Sequence, residues 1–179
     1  MRIGIIVWSL CVTKGGLERL GVQLANDMQR RGHECVVFHQ ALGQQDPKPI
    51  YPLDENIEYI NLKLHDTESV NIARALVAGS NIEVMCAMFS WRDLLWMPAL
   101  MNGTGIPLII SEHSNPHFLE SERWNRYERL ACMAGADAIH LLNHDFIQSL
   151  PSFLHDRVTV ISNPAPKPQS DTLSRESLG

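Results

Sequence analysis

Two short polar segments hold the residue types that can do chemistry. The first is Lys14-Gly15-Gly16-Leu17-Glu18-Arg19, where an apolar run over 3–8 gives way to a helix-period pattern beginning at Leu17. A strand that turns into a helix leaves the first helical N–H groups without partners at the positive end of the helix dipole, which suits a phosphate. Glycine there lets a ligand approach the main chain with no Cβ in between. The competing reading is a Gly-Gly needed only for a tight turn. The second segment is Ser111-Glu112-His113-Ser114-Asn115-Pro116, directly after Leu108-Ile109-Ile110. A histidine at such a strand end can donate a hydrogen bond to a sugar hydroxyl or a leaving-group oxygen. Its plain alternative is a ring that merely caps the strand.

Other chemistries lack their signatures. A dinucleotide site needs G-x-G-x-x-G after the first strand and an acidic residue at the end of the second, but the second strand here ends Phe38-His39-Gln40. Neither a G-x-x-x-x-G-K-[ST] phosphate loop nor a G-x-S-x-G elbow occurs. His113 and His117 have the spacing of a helical metal pair, yet Pro116 lies between them, and His140 with His144 straddles a strand end. No metal site is expected from either pair. Cys11, Cys35, Cys86 and Cys132 are scattered without a CxxC pair and read as small buried hydrophobes.

These segments need a scaffold. Apolar runs rich in Ile and Val recur at 3–8, 35–38, 57–62, 82–89, 107–111, 138–142 and 158–161, mostly without strict alternation, as in strands buried on both faces. Helical patterns fall between them: 17–31, with Leu17, Leu20, Leu24 and Met28 on one face and Gly32 as the stop; about 66–78, capped by Asp66; 91–101, which Pro98 should kink or shorten; and 118–134, with Arg123, Arg126, Glu128 and Arg129 partly exposed. The expected fold is α/β, a single Rossmann-like doubly wound domain with a mostly parallel sheet of about seven strands and helices on both faces. Ligands then bind outside the carboxyl ends of the strands, where the loops over 9–19, 90–92 and 111–116 lie.

At 179 residues and 45% hydrophobic, the chain can bury one full core. A net charge of -5 argues against nucleic acid as a partner. No apolar run is long enough to span a membrane and the start does not read as a signal peptide, so a cytoplasmic location is expected. The run Arg123-Trp124-Asn125-Arg126-Tyr127-Glu128-Arg129 offers a peripheral contact with anionic lipid, but a solvated helix face is the expected reading. From Pro164 the chain is rich in Pro and Ser with no apolar period. We read 1–166 as the domain and 167–179 as a linker toward a missing C-terminal half.

The landmarks taken in order resemble the N-terminal, acceptor-side half of family-four retaining glycosyltransferases of the GT-B fold. They are Arg2-Ile3-Gly4-Ile5-Ile6, Gly15-Gly16-Leu17-Glu18-Arg19, Leu24-Ala25, Arg31-Gly32-His33-Glu34-Cys35-Val36, Glu112-His113, Gly135-Ala136-Asp137-Ala138 and Val158-Thr159-Val160-Ile161-Ser162-Asn163-Pro164. The resemblance implies two Rossmann-like halves facing across a cleft, with a nucleotide-sugar as donor substrate, a sugar acceptor, and no metal or other cofactor. It implies that His113 is catalytic, near the anomeric carbon, and that Gly15, Gly16, Glu18, Arg19, Glu112 and Asn115 bind substrate. The acceptor class stays open among lipid-linked, polysaccharide and small-molecule types, within carbohydrate or cell-envelope biosynthesis.

Two features depart from the pattern. The family's Glu-x7-Glu donor signature belongs to the absent half; Glu112 with Glu120 and Glu120 with Glu128 have that spacing but no glycine-rich loop before them. Asn143 stands where relatives often carry serine, and either can cap a helix. The expected activity is sugar transfer by the whole enzyme, with this half inactive alone. The alternative is a standalone, non-catalytic Rossmann-like binding module.

Overall fold

Seven strands form one sheet in the order β3-β2-β1-β4-β5-β6-β7, and every neighbouring pair is parallel. They are β1 (Arg2–Val7), β2 (Glu34–His39), β3 (Glu58–Asn61), β4 (Val84–Phe89), β5 (Leu108–Glu112), β6 (Ala138–Leu141) and β7 (Val158–Val160). The computed structural model describes residues 1–8, 10–12, 14–40, 48–64, 66–89, 96–118 and 126–163. Each apolar run of the sequence overlaps one of these strands. The strand order reverses beside β1, whose two neighbours are β2 and β4. This is the doubly wound, Rossmann-like arrangement, and it places the loops after the strands along one edge of the sheet.

Strand alternation divides the core into two layers. Ile5, Val7, Cys35, Val37 and Met88 pack on one face with Val22 and Ala25 of helix α1 (Gly16–Arg30). Ile6, Val36, Phe38, Met85, Leu108, Ile110, Ile139 and Leu141 pack on the other. There they meet Val70, Ala73 and Val77 of α2 (Thr67–Gly79), Met97 and Leu100 of α3 (Trp96–Met101), and Cys132 and Met133 of α4 (Arg126–Ala134). Gly21 explains how closely α1 sits: a Cβ there would overlap Val7 Cγ2.

Local sequence accounts for the helix ends. Asp66 caps α2 as expected, accepting from Ser69 N at 2.8 Å while Ser69 Oγ accepts from Asp66 N at 2.9 Å, a reciprocal capping box. After α1, Gly32 takes φ of +87°, a left-handed conformation that stops the helix. The described part of α3 is six residues long and includes Pro98. Residues 91–95, 119–125 and 167–179, on which parts of two expected helices and the linker fall, lie outside the described residues. Two 3₁₀ segments, His144–Ser149 and Ser152–Arg157, join β6 to β7. Asn143 caps the first of them, accepting from Asp145 N at 3.1 Å.

All four cysteines are free. Burial raises their thiol pKa values, to about 11 for Cys86 and, with Glu128 adding to it, to about 11 for Cys132. Among the described residues no helix is long and apolar enough to cross a membrane.

Candidate active site

Gly15 is the N-cap of α1, extended at φ -105° and ψ 165°, with no side chain capping the helix. Its carbonyl accepts from Arg19 N at 3.2 Å, the first helical hydrogen bond, and from Tyr51 Oη at 3.2 Å. The amides of residues 16 to 18 precede that bond and have no helical partner. The two glycines differ. A Cβ on Gly15 would run into Glu18 Oε2, whose side chain folds back over the cap, whereas a Cβ on Gly16 would meet none of the described residues within 4 Å. Gly16 therefore meets no packing requirement among the described residues, and its missing side chain leaves open the approach to the helix terminus. Glu18 is buried and Arg19 exposed.

Parallel register brings the second segment to the same face as α1. Val7 is in register with Met88, Met88 with Ser111 and Ser111 with His140, so this row crosses the sheet on the face that carries α1. His113 follows Ser111 by two residues, the spacing that returns a side chain to one face. Its Nε2 lies 2.8 Å from Ser111 Oγ, which lies 2.7 Å from His140 Nδ1; His140 Nε2 in turn lies 2.8 Å from the Ile161 carbonyl oxygen. The two imidazoles meet edge to face, with centroids 5.6 Å apart.

Burial, followed by the nearby His140, pushes the His113 pKa down to about 4, although the Asn163 side chain pulls the other way. His113 is accordingly neutral at physiological pH and can exchange hydrogen bonds with a ligand without bringing a charge. Its Nδ1 is buried and meets no partner at full hydrogen-bond distance and angle among the described residues, but the Asn163 side chain interacts with the ring and favours its protonated form.

Glu112 points the other way, toward α4. Its carboxylate makes a two-pronged pair with Arg129, Nε to Oε1 and Nη2 to Oε2 each at 2.7 Å, and both side chains are 0% exposed. Arg129 also donates to Ser149 Oγ at 3.0 Å. This corrects the expectation of a partly exposed Arg129, whose charge is taken up in the core by Glu112. The Glu112 carboxylate holds β5 against α4 and is shielded from any ligand. Asn115 is exposed, and its Oδ1 accepts from His117 N at 3.0 Å in an Asx turn that shapes the loop after β5.

The structure thus gathers Gly15, Gly16, Arg19, His113 and Asn115 at the carboxyl edge of the sheet and withdraws Glu112 and Glu18 from the surface. Sequence reasoning missed Ser111 and His140 as partners of His113. The available signal was the alignment of β5 with β6, which sets Ser111 opposite His140. Both His140 ring nitrogens are occupied by protein, and no group of three or more metal-ligating side chains assembles among the described residues. A depression of about 620 Å³ lies near the starts of β5 and β6, at the other end of the sheet. Its one carboxylate, Asp137, is engaged by Leu108 N at 2.8 Å.

Similar architectures occur in solved glycosyltransferases. The apo lipopolysaccharide outer core galactosyltransferase WaaB superposes with a TM-score of 0.65 at 12% identity, over 96% of this chain and 50% of that one. HepE from Anabaena, solved with UDP and glucose, gives 0.60 at 14% identity over 90% and 44%. A glycosyltransferase from Rickettsia africae gives 0.59 at 15% identity over 90% and 42%. The chain spans about half the length of these proteins, and its fold is one half of GT-B. No curated protein sequence matches it. The sequence model of Glycosyltransferase Family 4 matches residues 14–166, most of the chain, which therefore belongs to that family.

Proposed function

We propose that this chain is the acceptor-side half of a retaining glycosyltransferase that moves a hexose from a nucleotide-sugar to an acceptor hydroxyl. Family membership over 14–166 carries this reading. The α1 terminus and His113 sit on one sheet face at one edge, so both can serve a single ligand. Breaking the bond between the anomeric carbon and the diphosphate builds negative charge on the leaving oxygen. Amides at a helix N-terminus stabilise that charge without needing a metal. Neutral His113 serves the sugar, where a cation beside the electron-poor anomeric carbon would oppose the reaction. Donor and acceptor react only when held together. The second half of the cleft is thus required, and this half alone is inactive, as a protein of the cytoplasm that works with a C-terminal partner domain.

The test pairs two measurements. The native gene product is sized by immunoblot, with about 40 kDa expected for two such domains. UDP-glucose, a ligand of the HepE relative, is the first donor tried, followed by other nucleotide-sugars, against the native product and against residues 1–179. Transfer by the native product with negligible donor binding by 1–179 supports the reading. Micromolar donor binding by 1–179 alone contradicts the division of labour. A native product near 20 kDa without transferase activity contradicts the enzyme.

A further inference from the structure

Proton accounting along the row from Ile161 to His113 leaves one consistent arrangement for neutral rings. A carbonyl oxygen can only accept, so His140 Nε2, 2.8 Å from Ile161 O, carries that ring's proton. His140 Nδ1 is then bare and accepts the Ser111 hydroxyl proton across 2.7 Å. With its proton spent, Ser111 Oγ must accept across the 2.8 Å to His113, which places the His113 proton on Nε2. His113 Nδ1 is left as a lone pair, buried and without a partner of full hydrogen-bond geometry among the described residues; the Asn163 side chain is a polar neighbour, and an amide N–H can turn toward a bare nitrogen until a ligand hydroxyl replaces it. The row is anchored at its far end, because Ile161 N donates to Leu141 O at 3.0 Å and so continues the pairing of β7 with β6.

We propose that Ser111 and His140 are positioning residues that lock His113 in its Nε2–H form, so that Nδ1 accepts a hydrogen bond from a hydroxyl of the bound sugar. The hydroxyl is part of the inference that rests on the glycosyltransferase reading; the proton arrangement does not. A His113 held this way recognises an O–H donor and rejects a group that offers only lone pairs, such as a keto oxygen or a phosphate oxygen. The tight neutral environment of the ring is consistent with this, since a charged imidazole would have no lone pair to offer.

Nitrogen-15 correlation spectra of the imidazole rings in the 179-residue chain at neutral pH read the arrangement directly. Bare Nδ1 and protonated Nε2 are expected on both His113 and His140. An Nδ1–H form or an imidazolium at either ring overturns the relay. In Ser111→Ala and His140→Phe the His113 preference should collapse to a mixture, while His155→Gln, remote from the row, leaves it intact; an unchanged His113 in both relay variants overturns the positioning role. Where a variant does not fold, the wild-type spectrum alone decides. In the native product, the same two relay variants should lower kcat about tenfold or more, as a wrong tautomer does elsewhere. Nε2–H spectra accompanied by full activity of both variants overturn the hydroxyl contact. Nε2–H spectra in a native product with no transferase activity overturn the glycosyltransferase reading and leave the relay standing.

Discussion

Glu112 and Arg129 meet edge on inside the protein, two N–H donors against two carboxylate oxygens at 2.7 Å, with neither side chain reaching solvent. The pair locks the end of β5 to α4, and His113 is the next residue along the chain. Removing one partner leaves a buried charge with no counter-ion, which typically costs about 3–5 kcal/mol. Arg129→Met and Glu112→Gln should each lower stability by an amount in that range. The double replacement Glu112→Leu with Arg129→Met should recover most of the loss, because two apolar side chains leave no orphaned charge. Urea midpoints of the two single variants within about 0.5 kcal/mol of wild type would show that the pair holds nothing.

The three glycines around α1 are separable. Gly21→Ala adds a methyl against Val7, a β-branched side chain with little rotamer freedom. Despite the better helix propensity of alanine, overpacking of this kind costs about 1–3 kcal/mol. Gly15→Ala displaces the Glu18 carboxylate, the flexible end of a side chain, at smaller cost. Gly16→Ala enters open space and should leave the unfolding midpoint unchanged or slightly raised. Thermal melts of the three variants rank them; Gly21→Ala as stable as wild type would mean that α1 does not depend on close approach to β1.

Stability should depend on pH through His113. Burial and His140 lower its folded pKa to about 4 from 6.5. Between those values the unfolded chain binds a proton that the folded chain does not. Stability is therefore fully present above 6.5 and is lost as pH falls toward 4. The ring is only partly buried, so the loss from this residue is held to about 2 kcal/mol by solvent screening. His39, also lowered by burial, adds to it in the same direction. Urea titrations across that window should slope downward toward acid, and His113→Gln should flatten the slope. A slope identical in the variant would assign the effect elsewhere.

Much of this fold was legible because its signals are local. Strands buried on both faces announce themselves as apolar runs, and Asp66 caps α2 through a residue three positions away. The Gly15-Gly16 turn likewise sits at a junction visible in the sequence. Arg129 was misread because Arg123, Arg126 and Arg129 recur at helical spacing, which resembles a solvated stripe. Its burial is decided by Glu112, seventeen residues earlier, and the fold alone brings them together. The partnership of Ser111 with His140 depends on the β5–β6 register, twenty-nine residues apart. Periodicity reports which face a residue takes; it does not report which charge or ring will be waiting there.

Activity of the native product provides the remaining prediction. Gly16→Val places a branched side chain at the α1 terminus, where a Cβ meets none of the described residues within 4 Å. His113→Ala removes the ring proposed to meet the sugar and leaves Ser111 bonded to His140. Each should lower turnover at least about tenfold, a floor set below the roughly hundredfold or more that losing one oxyanion-hole donor costs an acyl-transfer enzyme. The mode of loss should differ. Gly16→Val blocks the approach of the diphosphate and should raise KM for the nucleotide-sugar, whereas His113→Ala acts at the sugar and should fall mainly on kcat. Steady-state kinetics with both substrates varied separate the two, and unchanged turnover in both variants would remove this edge of the sheet from the active site.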